Sequence, residues 1–118
     1  MEMALERETT STLLSVTGKL VRDGVEITLD PFEIALVRAL NDALAQDANR
    51  AEAVRGFVRS VGLTHLVPMS PSPDHALATI RHLVKRLERK LGALGEPNVL
   101  ETCERRGYRL REIVTLTR

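Results

Sequence analysis

Hydrophobic and polar positions along the chain pass from short β-type runs to helical patterns and back to β-type runs. Residues 12–29 contain runs rich in Leu, Val, Ile and Thr, and Asp23-Gly24 between two of them is a strong hairpin-turn signal. We therefore expect strands near 12–16, 18–22 and 25–29.

The stretch DPFEIALVRALNDALA predicts the first helix, at about 31–46. Asp30 is a good N-cap, Pro31 suits the first helical position, and Glu33 follows the cap by three residues. Apolar residues then recur at helical spacing, namely Phe32, Leu36, Ala39, Leu40 and Leu44.

The stretch RAEAVRGFVRSVG predicts a second helix, with Asn49 as its cap and Gly62 as its stop. Its apolar side consists of Ala53, Val54, Phe57, Val58 and Val61. Prolines 68, 71 and 73 then predict a loop, because proline lacks the amide proton that a continuing helix needs.

The longest periodic stretch, DHALATIRHLVKRLERKLGAL, predicts a third helix at 74–94, capped by Ser72 or Asp74. Its apolar stripe consists of Leu77, Ile80, Val84, Leu87 and Leu91. The last part, VLETCERRGYRLREIV, predicts a β-hairpin around Gly107. This order of elements is typical of an α+β winged helix-turn-helix domain, and a generic α+β domain would also fit.

Length and composition fit one soluble domain. The chain has 118 residues, of which 43% are hydrophobic and 28% charged. We expect a tail at 1–11, without the apolar block of a signal peptide, and a domain at 12–118. The single cysteine, Cys103, can form no intrachain disulfide, and no apolar run approaches the ~18 residues of a membrane span. We therefore expect a cytoplasmic protein.

Positive charge is concentrated in the C-terminal part of the chain. Residues 1–73 carry seven basic and ten acidic side chains, a net of −3, whereas residues 74–118 carry ten and six, a net of +4. Opposite the apolar stripe of the third helix lie His82, Lys85, Arg86 and Arg89, with Arg81 at the edge of that face. Such a face suits the DNA major groove, although it would also suit solvent, with helical ion pairs from Arg81 and Lys85 to Glu88.

The hairpin carries a second basic cluster. Arg105 and Arg106 precede Gly107 at the turn, where they suit the narrow minor groove or phosphate. Arg109 and Arg111 follow on the returning strand, where we expect surface charges that protect a strand edge.

A family resemblance becomes specific at this point. LVKRLERKLG…EPNVLETCERRGYRL resembles the third helix and wing of the OmpR/PhoB-type winged-helix effector domain of bacteria, and ITLDPFEIALVRAL is similar to its first helix and the strand before it. The resemblance covers roughly 12–113 and is most specific at its Gly-Tyr-Arg-Leu ending. It implies a four-stranded N-terminal sheet, three helices, a C-terminal hairpin wing, and a recognition helix at 74–94.

The resemblance also implies positions for contacts with DNA. Base or phosphate contacts fall at Thr79, Arg81, Lys85 and Arg86, and phosphate contacts at Thr102 and Tyr108. We add four further DNA contacts because of their positions in the chain, and the family does not imply them: His82, Arg89, Arg105 and Arg106. The loop at 62–73 corresponds to a segment that in the family can touch RNA polymerase, and the family's paired half-sites imply a homodimer on DNA.

Several departures from the family pattern affect the same surface. Ala78, Glu88 and Glu104 stand where the family often has arginine, and Arg105 replaces the first glycine of the turn. No phosphorylatable receiver domain precedes the module in this sequence. Each lost arginine–phosphate contact would lower both the affinity and its salt dependence.

These patterns predict a sequence-specific double-stranded DNA-binding regulator of transcription, associated with the nucleoid. We expect no enzymatic activity, metal or cofactor, because Cys103 and the histidines show no nucleophile-type pairing or metal-ligand spacing, and no glycine-rich phosphate loop occurs. The alternative is a winged-helix protein-interaction adaptor with weak or no DNA binding. The low net charge of +1, Glu88 and Glu104 motivate that alternative.

Overall fold

The computed structural model describes residues 12–67, 72–95 and 98–117, which adopt an α+β fold. The predicted tail at 1–11 and part of the loop at 62–73 lie outside the described residues. The elements in chain order are β1 (Thr12–Ser15), β2 (Lys19–Arg22), β3 (Val25–Thr28), α1 (Pro31–Gln46), 3₁₀ segments at Glu52–Val54 and Ser60–Leu66, α2 (Pro73–Gly92), β4 (Leu100–Cys103), β5 (Gly107–Leu110) and β6 (Val114–Thr117).

The three strands expected near the N-terminus are confirmed. They form an antiparallel meander in which Leu14 lies opposite Leu20, and Leu20 lies opposite Ile27. Asp23 and Gly24 both have positive φ, of 52° and 79°, as the two-residue hairpin turn requires.

The fourth strand of this sheet comes from the C-terminal end, and the sheet order is β3-β2-β1-β6. Strand β6 runs parallel to β1, from Thr12 opposite Val114 to Ser15 opposite Thr117. In the described part of the chain, the expected N-terminal sheet is thus antiparallel over its first three strands and has four strands in all, but the fourth is C-terminal and parallel, which makes the sheet mixed. Val114 at the start of β6 is 2% exposed and packs in the core, so this return of the chain buries apolar surface.

Helix α1 is confirmed over the predicted range. Asp30 accepts a hydrogen bond from the Glu33 amide, and the Glu33 side chain accepts one from the Asp30 amide, both at 2.8 Å. This capping box satisfies two backbone donors at the start of the helix. The buried face consists of Glu33, Leu36, Val37, Leu40, Asn41 and Leu44, whereas Phe32 is exposed.

The second predicted helix, over RAEAVRGFVRSVG, is wrong in both its bounds and its type. Gly56 has a φ of 76°, which an α-helix does not allow, and Val58 is extended and bridges to Tyr108. The helical turns in this region are instead the 3₁₀ segments Glu52–Val54 and Ser60–Leu66, and Gly62 lies inside the second of them rather than at a helix end. The tight approach of Gly56 to α1 explains the break, since a Cβ there would lie 2.8 Å from Leu44 Cδ1.

Helix α2 lies within two residues of its predicted bounds at both ends. The Ser72 hydroxyl accepts a hydrogen bond from the His75 amide at 3.1 Å, and Pro73 occupies the first turn. The side chains that α2 buries are Ala76, Ile80, Leu83, Val84, Leu87 and Leu91. They meet leucines of the sheet and of α1 in one aliphatic core.

The predicted hairpin is confirmed as β4 and β5. Leu100 lies opposite Leu110, and Cys103 lies opposite Gly107. Val58 pairs with the other edge of β5, where its amide and carbonyl bond to the Tyr108 carbonyl and amide at 2.8 and 2.9 Å. The hairpin is thus fixed to the segment that leads into the second 3₁₀ segment.

Asn41 of α1 closes the edge of β6. Its side-chain amide donates to the Val114 carbonyl at 2.9 Å, and its side-chain oxygen accepts from the Val114 amide at 2.8 Å. The Val114 carbonyl and amide are buried, so without Asn41 they would have neither water nor another strand as a hydrogen-bond partner. Asn41 therefore takes the place of a neighbouring strand.

We expect Asn41→Ala to lower the free energy of unfolding by about 1–3 kcal/mol, since a buried N–H and C=O would lose their partners. Urea unfolding of the variant should show a lower midpoint with an unchanged slope. Asp42→Ala, an exposed neighbour on the same helix, is the control and should change stability by less than about 0.5 kcal/mol. Equal midpoints for the two variants would contradict this role of Asn41.

Candidate nucleic-acid interface

The outer face of α2 is exposed, as its pattern predicts. Its exposed side chains include Ala78, Arg81, His82, Lys85, Glu88 and Arg89. At about 100° per residue, Lys85 points almost directly away from the buried stripe. In the described part of the chain, Arg81, Lys85 and Arg89 form no ion pair, so the alternative of helical pairs with Glu88 is not observed there.

Arg86 does not belong to this exposed set. Its Nε lies 3.1 Å from Glu33 Oε2, and its Nη2 pairs with the Asp30 carboxylate. Glu33 is fully buried, with 0% exposure, so the guanidinium compensates a charge that water cannot reach. Arg86 therefore links α2 to α1, and its guanidinium is turned to these carboxylates rather than to the exposed face.

Thr79 lies on the same flank of α2 as Arg86. It is half-buried, and its hydroxyl donates to the His75 carbonyl of its own helix at 2.9 Å. This bond occupies its only donor. The structure therefore separates Thr79 and Arg86 from the other predicted contact residues of the helix.

The tip of the hairpin presents three charged side chains to solvent. Glu104, Arg105 and Arg106 are all exposed, and the Arg106 amide closes the turn on the Cys103 carbonyl at 3.1 Å. Gly107 has a φ of 103°, and a Cβ there would lie only 2.2 Å from the Val58 carbonyl oxygen. Only glycine permits this approach.

Of the two arginines after Gly107, Arg111 is the exposed charge that the sequence suggested, whereas Arg109 is not. The Arg109 side chain is 14% exposed, and its Nε lies 2.8 Å from Glu101 Oε1. Its guanidinium also lies 4.4 Å from the centre of the Phe57 ring and donates to the carbonyls of Glu52 and Arg55. Arg111 is less buried and joins the same Glu101 at 3.2 Å.

A signal for the Arg109 pair was present in the sequence. In a hairpin that turns just before Gly107, Glu101 falls directly opposite Arg109, and opposite charges at such positions attract. The contact of Arg109 with Phe57 could not be predicted from the sequence, because it depends on the non-helical path of the chain between α1 and Val58.

A cleft of about 380 Å³ lies between α2, the hairpin and the start of the second 3₁₀ segment. Arg81, Thr102 and Tyr108 line it, as does Arg59, which sequence reasoning missed. The Arg59 Nη2 donates to the Arg105 carbonyl at 3.1 Å, and the hydroxyls of Ser60 and Tyr108 lie 3.1 Å apart. Two guanidinium groups and several hydroxyls around one opening suit an anionic oxygen such as that of phosphate, whereas the Glu104 carboxylate, which also lines the cleft, opposes it.

The structure thus gathers most of the predicted site on one side of the molecule. The cleft joins the exposed face of α2 to the hairpin tip through Arg81 and Gly107. The predicted residues on this surface are Arg81, His82, Lys85, Arg89, Thr102, Arg105, Arg106 and Tyr108. We call this surface, together with Arg59, the basic surface.

Comparisons with known proteins bring no further assignment, since no family model, curated protein or solved structure matches the chain. Over the ranges that the structure describes, no three His, Cys, Asp or Glu side chains are grouped as metal ligands would be. Neither described helix combines the length and the apolar character that crossing a membrane requires.

We expect Gly107→Ala to break the pairing of Val58 with Tyr108, because a methyl group would overlap the Val58 carbonyl. The loss should be about 3 kcal/mol in urea unfolding, from clash and left-handed strain together. Gly24→Ala is the matched control, since Gly24 also has positive φ but no atom within 4 Å of the point where a methyl group would lie. It should lose only about 1 kcal/mol. Similar losses at both positions would show that close approach to Val58 is not the constraint.

Proposed function

We propose that this protein is a sequence-specific double-stranded DNA-binding regulator of transcription, of the OmpR/PhoB winged-helix type. In this proposal α2 enters the major groove, and the β4–β5 hairpin is the wing that reaches the minor groove. The observation that carries the proposal is that most cations without a carboxylate partner among the described residues lie on the basic surface.

Cations elsewhere in the described residues are mostly matched by carboxylates. The paired ones are Lys19, Arg22, Arg50, Arg86, Lys90, Arg109 and Arg111. Those without a carboxylate partner in the described ranges are mostly on the basic surface, namely Arg59, Arg81, Lys85, Arg89, Arg105 and Arg106, with Arg38 and Arg55 elsewhere. Like charges gathered without counterions repel one another, and an anionic partner offsets that repulsion. A nucleic-acid backbone is such a partner.

The shape of the basic surface favours duplex DNA. An exposed helix fits the major groove, where arginine and lysine bond guanine edges, and Lys85 stands at the centre of the exposed face. Thr102, Tyr108 and Arg81 around the cleft suit phosphate oxygens. The exposed tip, with Arg105 and Arg106, suits the minor groove, where negative potential is concentrated.

The fold gives further support through its connections. The 3₁₀ segment Ser60–Leu66 precedes α2 and buries Leu63 against the core, so a helical turn and a longer helix follow one another as in a helix-turn-helix. Contact with RNA polymerase through 62–73, pairing of two copies on adjacent half-sites and a location at the nucleoid remain part of the proposal.

One set of side chains favours the adaptor alternative. Glu88 and Glu104 are exposed at the basic surface, where they would repel phosphate. Val61, which lines the cleft, is 67% exposed and offers an apolar contact that suits a protein better than DNA. The next two experiments separate these functions.

We expect binding to DNA to weaken steeply with salt. If six cations each neutralise one phosphate, log K against log salt should slope by about −5, at roughly −0.9 per phosphate. Fluorescence anisotropy with a site selected from genomic fragments measures this slope. A flat slope, or no binding to any genomic pool at ~50 mM salt, would instead support the adaptor.

We expect Lys85→Ala to weaken binding to the selected site by roughly 1–3 kcal/mol while changing affinity for random DNA much less, because a base contact carries sequence information. Arg105→Ala should weaken both affinities to a similar extent. Arg38→Ala, which removes an exposed arginine of α1 that pairs with no carboxylate in the described ranges, is the charge-matched control and should leave both affinities nearly unchanged. Equal losses on the two DNAs for Lys85→Ala would remove its base-reading role.

A further inference from the structure

Ion pairs join the first turn of α1 to one side of α2. The two oxygens of the Glu33 carboxylate take different cations, with Lys90 Nζ 2.6 Å from Oε1 and Arg86 Nε 3.1 Å from Oε2. Lys90 also donates to the Thr28 carbonyl at the end of β3, at 3.1 Å. One buried carboxylate thereby joins the sheet, α1 and α2.

Glu33 is itself held rigidly. Its Oε1 accepts from the Asp30 amide in the capping box, and its side chain is fully buried. A carboxylate held in this way has a fixed position, because its side chain is hydrogen-bonded and water does not reach it.

The two cations lie one turn apart on the same side of α2. At 100° per residue, Arg86 and Lys90 are roughly 100° and 140° around the helix from Lys85. The apolar stripe holds α2 against the core without strong directionality, whereas hydrogen-bonded ion pairs depend on both distance and angle. Two such contacts on one flank oppose rotation of the helix about its axis.

We infer that Glu33 is a positioning residue that sets the rotation of α2 and thereby determines which side chains meet the base edges. This inference rests on the proposed DNA-binding function. A rotation of about 20° moves a side chain roughly 6 Å from the axis by about 2 Å. Productive contacts tolerate only about 0.5 Å, so sequence discrimination depends on the rotation more than attraction to phosphate does.

Glu33→Gln tests the inference, because positioning and simple charge predict opposite results. Glutamine keeps the volume and the amide-accepting oxygen but removes the charge that pairs with Lys90 and that, together with Asp30, holds Arg86. Removing a negative charge should by itself strengthen binding to any DNA. Positioning instead predicts a roughly tenfold loss on the selected site, with affinity for random DNA unchanged or slightly raised.

Glu26→Gln is the matched control. It removes the same charge from an exposed carboxylate that pairs with Lys19 on the outer face of the sheet. The ratio of selected-site to random affinity should then stay within about twofold of the unaltered protein. A ratio equally unchanged in Glu33→Gln would overturn the inference.

Lys90 tests the same contact from the other helix, which keeps the inference testable if Glu33→Gln does not fold. Lys90→Met should lower the ratio by a similar factor, and Lys90→Arg, which restores the ion pair, should recover it. A loss of stability alone would not change this ratio in the folded fraction.

A measurement without DNA separates this inference from the proposed function. Backbone amide dipolar couplings of the full chain vary periodically along α2, and their phase reports the rotation of the helix. The phase should shift in Glu33→Gln and not in Glu26→Gln. An unshifted phase in Glu33→Gln overturns the positioning role, whatever the DNA-binding result. If the protein without substitutions binds no DNA, the proposed function is overturned, and the phase alone then tests the positioning role.

Discussion

Two backbone hydrogen bonds between Val58 and Tyr108 organise the surface that we propose binds DNA. They hold the hairpin against the start of the second 3₁₀ segment, which itself precedes α2. Two glycines make this contact possible: Gly56 takes a positive φ where the chain packs closely against Leu44 of α1, and Gly107 lets Val58 approach the hairpin closely. The cleft beside α2 exists because of this junction, and Arg59 and Ser60 strengthen it with bonds to the hairpin.

The location of carboxylates decides the role of each arginine in this chain. Glu33 and Glu101 are buried or partly buried, and each draws two cations into the framework. Glu88 and Glu104 are exposed and take none of the neighbouring arginines in the described residues. A buried carboxylate needs compensating charge far more than an exposed one, so the cations near Glu33 and Glu101 become structural, while those of the basic surface remain open to a ligand.

Local signals explain which elements could be predicted. The capping box at Asp30 and Glu33 predicted the start of α1, and the apolar stripe of α2 predicted that helix to within two residues at each end. The prediction of a helix around Phe57 was wrong because the same apolar spacing is compatible with an extended chain. The backbone of Val58 is extended there and forms its hydrogen bonds with Tyr108, which is distant in sequence. Strand β6 gave no comparable signal, since its place beside β1 depends on residues about a hundred positions away.

The sequence by itself determined the α+β class, both α-helices, the first three strands, the hairpin turn and the exposed basic face of α2. These follow from contacts within a few residues, where spacing, caps and glycine conformations act directly. Tertiary structure alone decided that Arg86 holds Glu33, that Arg109 packs on the Phe57 ring, and that Arg59 joins the basic surface. The reason is physical: a long cationic side chain pairs with whichever carboxylate or carbonyl the fold brings within reach, and chain order does not specify that neighbour.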